Sequence, residues 1–227
     1  MTEGSADATY AVARAVAGEP MRRGRVTAYR CATCGETVSI STVHPFRCPA
    51  AAPGDSHHVL HPVVEGPAPE LIDDPNPFVA YGRSLAWWAF ARANGMSEDD
   101  CIALTREVAD GFHVTPFGPH ARLSERLGAD VWVKDETGNV GGSHKARHLV
   151  GILLHLRAAE ALGLVDGPRP SLAIASCGNA AIAAATLAQR AGWPLRVFVP
   201  DTVSDTVADV LEGLGAQLNR CARTPDL

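Results

Sequence analysis

The sequence predicts an α/β fold built on a parallel sheet with helices on both faces. Three observations predict it. From Leu172 onward, short apolar runs at 172–175, 195–199 and 216–219 alternate with helical stretches at 179–190 and 204–214. Apolar strands joined by helices at such short spacing pack as right-handed βαβ units in a parallel sheet. Two glycine-bearing turns, 135–142 and 176–178, each sit between an expected strand and an expected helix, the place where ligands bind in sheets of this kind. Finally, 227 residues at 46% hydrophobic and 20% charged suffice for one full domain and part of another.

Composition also excludes partners. A net charge of −5 gives no electrostatic footprint for nucleic acid or an anionic membrane. No apolar run approaches the length that spans a bilayer, and the N-terminus lacks a basic start followed by an apolar core. Six irregularly spaced cysteines in a chain of this length do not suggest a disulfide framework. The expected setting is the cytoplasm.

In order along the chain, residues 1–25 are small and polar, compatible with a short helix, and carry no assigned role. Residues 26–65 hold Cys31 and Cys34 as C-x-x-C-G, then Cys48, then His57, His58 and His61. Thiolates and imidazoles at such spacings can surround zinc. The second half of a zinc ribbon is deficient, because Cys48 stands without a second C-x-x-C. A fourth ligand would have to be a histidine, and the alternative is a small β-rich flap with free cysteines. Proline-rich residues 66–78 are expected as a linker. The organisation expected is an extension with flap over 1–65, this linker, and an α/β domain from 79 to 227.

A helix is expected over 83–94 with Leu85, Trp88 and Ala89 apolar, ended by Gly95. Ser97 has the character of an N-cap, with Glu98, Asp99 and Asp100 where carboxylates suit the helix dipole. That helix should run to about Asp110, with Ile102, Leu104, Val108 and Ala109 inward. An extended piece at 113–116, an amphipathic helix over 119–128 and a strand at 131–134 follow. The helix opening near Ser143 gives way to a loop at 163–170.

Chemistry concentrates at the two turns. Lys145 falls in the first turn of its helix, after Gly138, Asn139, Gly141 and Gly142, residues that tolerate positive φ and let a ligand reach the backbone. Positive surroundings and partial burial disfavour an ammonium, which frees the amine as a nucleophile. The bland alternative is a solvated helix lysine after an ordinary loop. The second turn, Ala175-Ser-Cys-Gly-Asn179, offers a hydroxyl on Ser176, backbone amides around Cys177 and Gly178, and an amide on Asn179. The expectation is that both corners lie at one edge of one sheet and form a single pocket.

The run K-D-E-T-G-N-V-G-G-S-H-K-A-R (134–147), followed by S-C-G-N-A-A-I-A-A-A (176–185), resembles the pyridoxal-phosphate enzymes of the tryptophan synthase β fold type. Threonine synthase, serine/threonine dehydratase and cysteine synthase belong to that group. The resemblance covers about residues 114–220 and includes the strand–helix–strand unit at 197–218. S-C-G-N-A is nearest to threonine synthase and the dehydratases, while S-H-K is similar to the tryptophan synthase β-chain. A cysteine-containing N-terminal flap is similar to that of some threonine synthases.

The resemblance implies that Lys145 forms the Schiff base with pyridoxal phosphate and then moves the α-proton of a small amino-acid substrate. It implies that Asn179 holds the cofactor ring through its 3′-oxygen and that His144 packs beside the phosphate. Ser176 and the backbone of Cys177, Gly178 and Asn179 would grip the substrate carboxylate. Lys134 and Glu136 would brace the loop. The implied activity is that of an amino-acid lyase or synthase working by β- or γ-elimination or replacement. The family's second half carries a Gly-rich phosphate loop that does not occur after residue 180 here. The reading is therefore of an incomplete fold whose C-terminal half would come from a separate piece, homo-oligomeric if complete. The alternatives are an inactive fragment or binding module that keeps half of the fold, and a zinc-ribbon protein whose α/β part is incidental.

Overall fold

The computed structural model describes residues 24–222. The short helix entertained for the N-terminus lies outside them. The chain begins with an antiparallel sheet of three strands, β1 (Arg25–Cys31), β2 (Thr37–Ser39) and β3 (Leu60–Glu65), in the order β2-β1-β3. This is the β-rich flap, with the register Tyr29 opposite Val38 on one side and Pro62 on the other.

The proline-rich stretch ends in one turn of helix, α1 (Pro77–Ala80), capped by the Asn76 side chain, which accepts from the Phe78 amide. It is tied down: Asn76 Nδ2 donates to the Ala109 carbonyl at 2.7 Å, and Arg106 reaches Asp74 at 2.7 Å. The helix expected from 83 begins instead with a 3-10 turn (Gly82–Ser84), and α2 spans Ala86–Ala93. Leu85, extended at φ −90 and ψ 143, separates the 3-10 turn from α2, and a β-carbon on Gly82 would stand 2.5 Å from the Trp88 ring that covers the turn.

α3 (Glu98–Val108) follows the expected cap, since Ser97 Oγ accepts from the Asp100 amide. It buries Leu104, Val108 and the following Ala109, together with Cys101 and Thr105. β4 (Phe117–Pro119) comes after the segment expected as extended, and Thr115 within that segment is buried as a hydrogen-bonding hub. α4 (Ala121–Leu127) ends at Gly128 in the left-handed region, and β5 (Trp132–Lys134) pairs antiparallel with β4.

α5 (Lys145–Ala161) is the central helix. Its fully buried Val150 and Leu154 meet Phe90 and other residues of α2 and α3 in one apolar cluster. Burying a side chain such as Leu154 contributes about 2–3 kcal/mol. α6 (Asn179–Ala191) packs against α5 and against the turn before it, and small residues, Ala181, Ala183 and Ala185, are buried along its first half. Methyl side chains let two helix backbones approach closely, which a leucine-lined face would prevent.

The parallel sheet is as expected in its strands. β6 (Leu172–Ala175), β7 (Leu195–Pro200) and β8 (Gln217–Cys221) lie in sequence order and pair in parallel, with α6 and α7 (Asp205–Gly213) as the crossovers. Ser204 caps α7 through the Val207 amide. β7 alternates strictly, with Leu195, Val197 and Val199 buried and Arg196 exposed, the signature of a core-facing side.

One expectation is corrected. The strand before Lys145 does not belong to the sheet that carries the Ser176 corner. β5 is consumed by pairing with β4, and β6 pairs with β7, so the two corners belong to two different sheets.

Candidate active site

Lys145 is the first residue of α5, two residues later than the expected opening at Ser143. A 3-10 turn (Val140–Gly142) precedes it, with Gly141 at φ +70 and Gly142 at φ +66, backbone that favours glycine. Beneath this turn Asn139 is buried. Its Nδ2 donates to the Ser143 carbonyl at 3.0 Å, and its Oδ1 has no partner among the described residues. Ser143 is also buried, and its Oγ accepts from the Lys145 amide at 3.4 Å. Lys145 is half-buried and His144 exposed.

Glu136 braces this segment. Arg147, in the same helical turn as Lys145, donates from Nε to Glu136 Oε2 at 2.8 Å, and Thr115 Oγ1 donates to Oε1 at 2.6 Å. Lys134 Nζ donates to the Thr115 carbonyl at 2.6 Å and stands 3.9 Å from Glu136. Burial works to raise the Glu136 carboxyl, but the bonds from Arg147 and Thr115 outweigh it and hold the group below the usual carboxylate range. The bracing of the loop by Lys134 and Glu136 is therefore visible, and Arg147 and Thr115 join it. Neither partner was legible in the sequence, because the ring they close joins three separate segments.

The second corner starts where β6 ends. The Ser176 amide donates to the Phe198 carbonyl at 3.1 Å, extending the sheet by one residue, and Ser176 Oγ accepts from the Gly178 amide at 3.4 Å. Gly178 caps α6 in an extended conformation. Ser176 and Gly178 are half-buried, while Cys177 and Asn179 are exposed. What joins the two corners is close helix–turn packing. A β-carbon on Gly141 would stand 3.2 Å from the Ala183 α-carbon and 3.4 Å from its β-carbon. Ala183 lies one turn into α6 from Asn179, so the lysine turn rests on the helix that Asn179 opens.

A fit to pyridoxal phosphate can be tested on these residues. The set comprises a primary amine, a hydroxyl, a side-chain amide and an unpartnered buried amide oxygen beneath the turn. At Gly138, Gly142 and Gly178 the place a β-carbon would take has no other atom within 4 Å, so the backbone can be approached there. Amine and amide donors beside accessible backbone suit an aldehyde that carries anionic groups, and the residues fit the group.

The cysteines of the flap form a second cluster. Cys31, Cys34, Cys48 and His58 bring their sulfur and nitrogen atoms within 4.8 Å of one another. The structure thus joins all three cysteines singled out in the sequence and selects His58, not His57 or His61, as the histidine beside them. The Cys34 amide is the main influence on the Cys31 thiol, which is lowered to about 6.

A further cavity of about 350 Å³ opens on the flap side of α5, between Tyr29, Phe46, Trp87, Arg147 and His155. There His155 Nε2 donates to the Val43 carbonyl at 2.7 Å and lies against the Phe90 ring, centroids 4.0 Å apart. Burial lowers the pKa of this imidazole.

Comparison with known proteins bears on the family. The model of the family described as pyridoxal-phosphate dependent enzyme matches residues 108–226, more than half of the chain. The chain belongs to this family of pyridoxal-phosphate-dependent α/β proteins. Over 119 residues it is 33% identical to a serine dehydratase-like protein of Rattus norvegicus, covering 52% of this chain and 34% of that one. Over 104 residues it is 34% identical to cysteine synthase 1 of Emericella nidulans, covering 46% and 27% respectively. Among solved structures it is similar to O-ureido-L-serine synthase, with TM-score 0.43 and 28% identity over 51% of this chain and 35% of that one. The chain spans about a third or less of the length of the curated relatives it matches.

Proposed function

We propose that this chain carries the lysine-bearing part of an amino-acid lyase or synthase, threonine synthase-like or dehydratase-like, working on a small amino acid by β- or γ-elimination or replacement. The observation that carries the reading is the contact of the Gly141 turn with Ala183, which sets the Lys145 helix start beside the one opened by Asn179. When bound, pyridoxal phosphate supplies an electron sink for a carbanion at the α-carbon.

The chain's own residues do the rest. Lys145 would hold the cofactor through its amine, and its Nζ would serve as the base for the α-proton of the substrate. Asn179 would orient the cofactor ring through its side-chain amide, and His144 would pack beside the phosphate. Ser176 Oγ and the amides around Cys177 and Gly178 receive the substrate carboxylate. The Glu136–Arg147 pair fixes the first turn of α5, so that the amine is presented from a rigid element. With this reading go the division into flap (1–65), linker (66–78) and α/β domain (79–227), a cytoplasmic setting, and homo-oligomeric assembly once a C-terminal half completes the fold.

The test is the visible spectrum of the purified chain with added pyridoxal phosphate, then borohydride reduction and mass mapping. The expected result is a lysine-bound cofactor band, absent in Lys145→Ala, with the reduced adduct on Lys145. An adduct mapped mainly to Lys134 would overturn the assignment. The second reading, a binding module that keeps half of the fold, is motivated by the short share of each relative that is matched. It expects no band in either protein.

A further inference from the structure

We propose that Cys31, Cys34, Cys48 and His58 bind one zinc ion, a structural site that staples the flap. The inference is independent of the cofactor reading above.

The geometry is that of a tetrahedral cage. With zinc–sulfur bonds of about 2.3 Å and zinc–nitrogen bonds of about 2.0–2.1 Å, a regular tetrahedron places two sulfurs about 3.8 Å apart and a sulfur and a nitrogen about 3.6 Å apart. Cys34 Sγ and Cys48 Sγ are 3.6 Å apart, and Cys31 Sγ and His58 Nδ1 are 3.6 Å apart. All pairs fall within 4.8 Å. A disulfide would need sulfurs at about 2.05 Å, far closer than the 3.6 Å between Cys34 and Cys48.

The backbone is folded for the purpose. The Cys31 amide donates to the Glu36 carbonyl at 2.8 Å and the Gly35 amide to the Cys31 carbonyl at 3.0 Å, closing a tight knuckle with Gly35 at φ +76. The Ala51 amide donates to the Cys48 carbonyl at 3.1 Å, a second turn around the second segment. His58 arrives from a third segment, fastened by the bond from the Ala32 amide to the Val59 carbonyl at 2.8 Å.

The outer shell is present too. His58 turns Nδ1 toward the sulfurs and Nε2 toward Asp55 Oδ2 at 3.5 Å. A carboxylate behind a ligating imidazole fixes its tautomer and raises its basicity. Asp55 is itself held, its Oδ1 accepting from the His57 amide at 2.8 Å. Three thiolates and one imidazole leave no open position, which suits a structural ion rather than a catalytic one. On binding, the thiol protons leave to solvent.

The site has a mechanical consequence. The loop between Cys34 and Cys48 lies on the α/β part, through the bond from His155 to the Val43 carbonyl and that from Asn94 Nδ2 to the Ser41 carbonyl at 3.2 Å. An ion closing this loop would hold the flap against α5.

The test uses the full chain, purified reduced and without chelator, with zinc measured by elemental mass spectrometry. One zinc per chain is expected. Chelator-stripped protein titrated with cobalt(II) should show thiolate-to-cobalt charge transfer and tetrahedral ligand-field bands. His58→Cys should retain the ion with a more sulfur-rich spectrum. Asp55→Asn should weaken binding by about 10–100-fold, His58→Ala by more, and His57→Ala and His61→Ala should match the parent. Absence of both zinc and cobalt bands in the reduced chain would overturn the proposal. So would equal losses at all three histidines, or thiol counts showing a Cys34–Cys48 disulfide and no metal.

Discussion

Replacing Gly141 by alanine tests the contact that joins the two corners of the candidate active site. Two costs are expected, and a neighbouring residue separates them. Gly141 has φ +70, where an L side chain costs about 1–2 kcal/mol. Its β-carbon would also stand 3.2 Å from the Ala183 α-carbon and 3.4 Å from its β-carbon. Crowding against backbone that cannot rotate away costs about 1–3 kcal/mol more. Gly142 has φ +66 but open space where its β-carbon would be. Gly142→Ala should therefore lose about 1–2 kcal/mol and Gly141→Ala about 2–5 kcal/mol. Urea unfolding followed by tryptophan fluorescence gives both values, provided the slope is unchanged. Only Gly141→Ala should also reduce the yield of borohydride-trapped cofactor on Lys145, because it pushes the lysine turn off α6. Two variants equal within about 0.5 kcal/mol, with equal trapping, would refute the packing argument.

Three further outcomes follow from the same geometry. Arg147→Ala leaves the Glu136 carboxylate with only Thr115 and the more distant Lys134, and should cost about 1–3 kcal/mol. Arg147→Lys should recover little of it, since an ammonium lacks the planar fork, and full recovery by lysine in urea unfolding would count against the network. Because the folded-state pKa of Glu136 lies below the unfolded one, its contribution is present above about pH 4.3 and is lost as pH falls through the folded value. Glu136→Gln should flatten that acid limb, and an unchanged limb would remove Glu136 as its source. His155 acts at milder pH. Its lowered pKa keeps it neutral when folded, so stability is full above about pH 6.5 and falls as the unfolded chain takes up the proton first. The slope approaches at most about 1.4 kcal/mol per pH unit, and His155→Gln should lessen it between about pH 7 and the folded value, unfolding midpoints at several pH values providing the check.

Much of this molecule was legible in one dimension because its signals are local. Ser97 caps its helix as its side chain predicts, since a cap needs only an oxygen within three residues of an amide. The strands β6, β7 and β8 follow from apolar runs bounded by turns, and the two motifs that mark the family are continuous segments. α2 starts at Ala86 and not at 83 because Leu85 is extended, a local break that helical periodicity does not show. Choosing among His57, His58 and His61 was likewise beyond spacing alone, as the answer depends on which imidazole the segment ahead of β3 turns toward the thiols.

The amino-acid order by itself determined the α/β class, the helix caps, the parallel strands and the residue types offered at each turn, since these depend on neighbours a few positions away. Only the tertiary structure decided that the strand before Lys145 pairs with β4 and not with β6, that the two corners meet through Gly141 and Ala183, and that His58 completes the thiol cluster. Such contacts join segments far apart in the chain, and packing selects among them by steric fit and satisfied hydrogen bonds, neither of which has a period along the sequence.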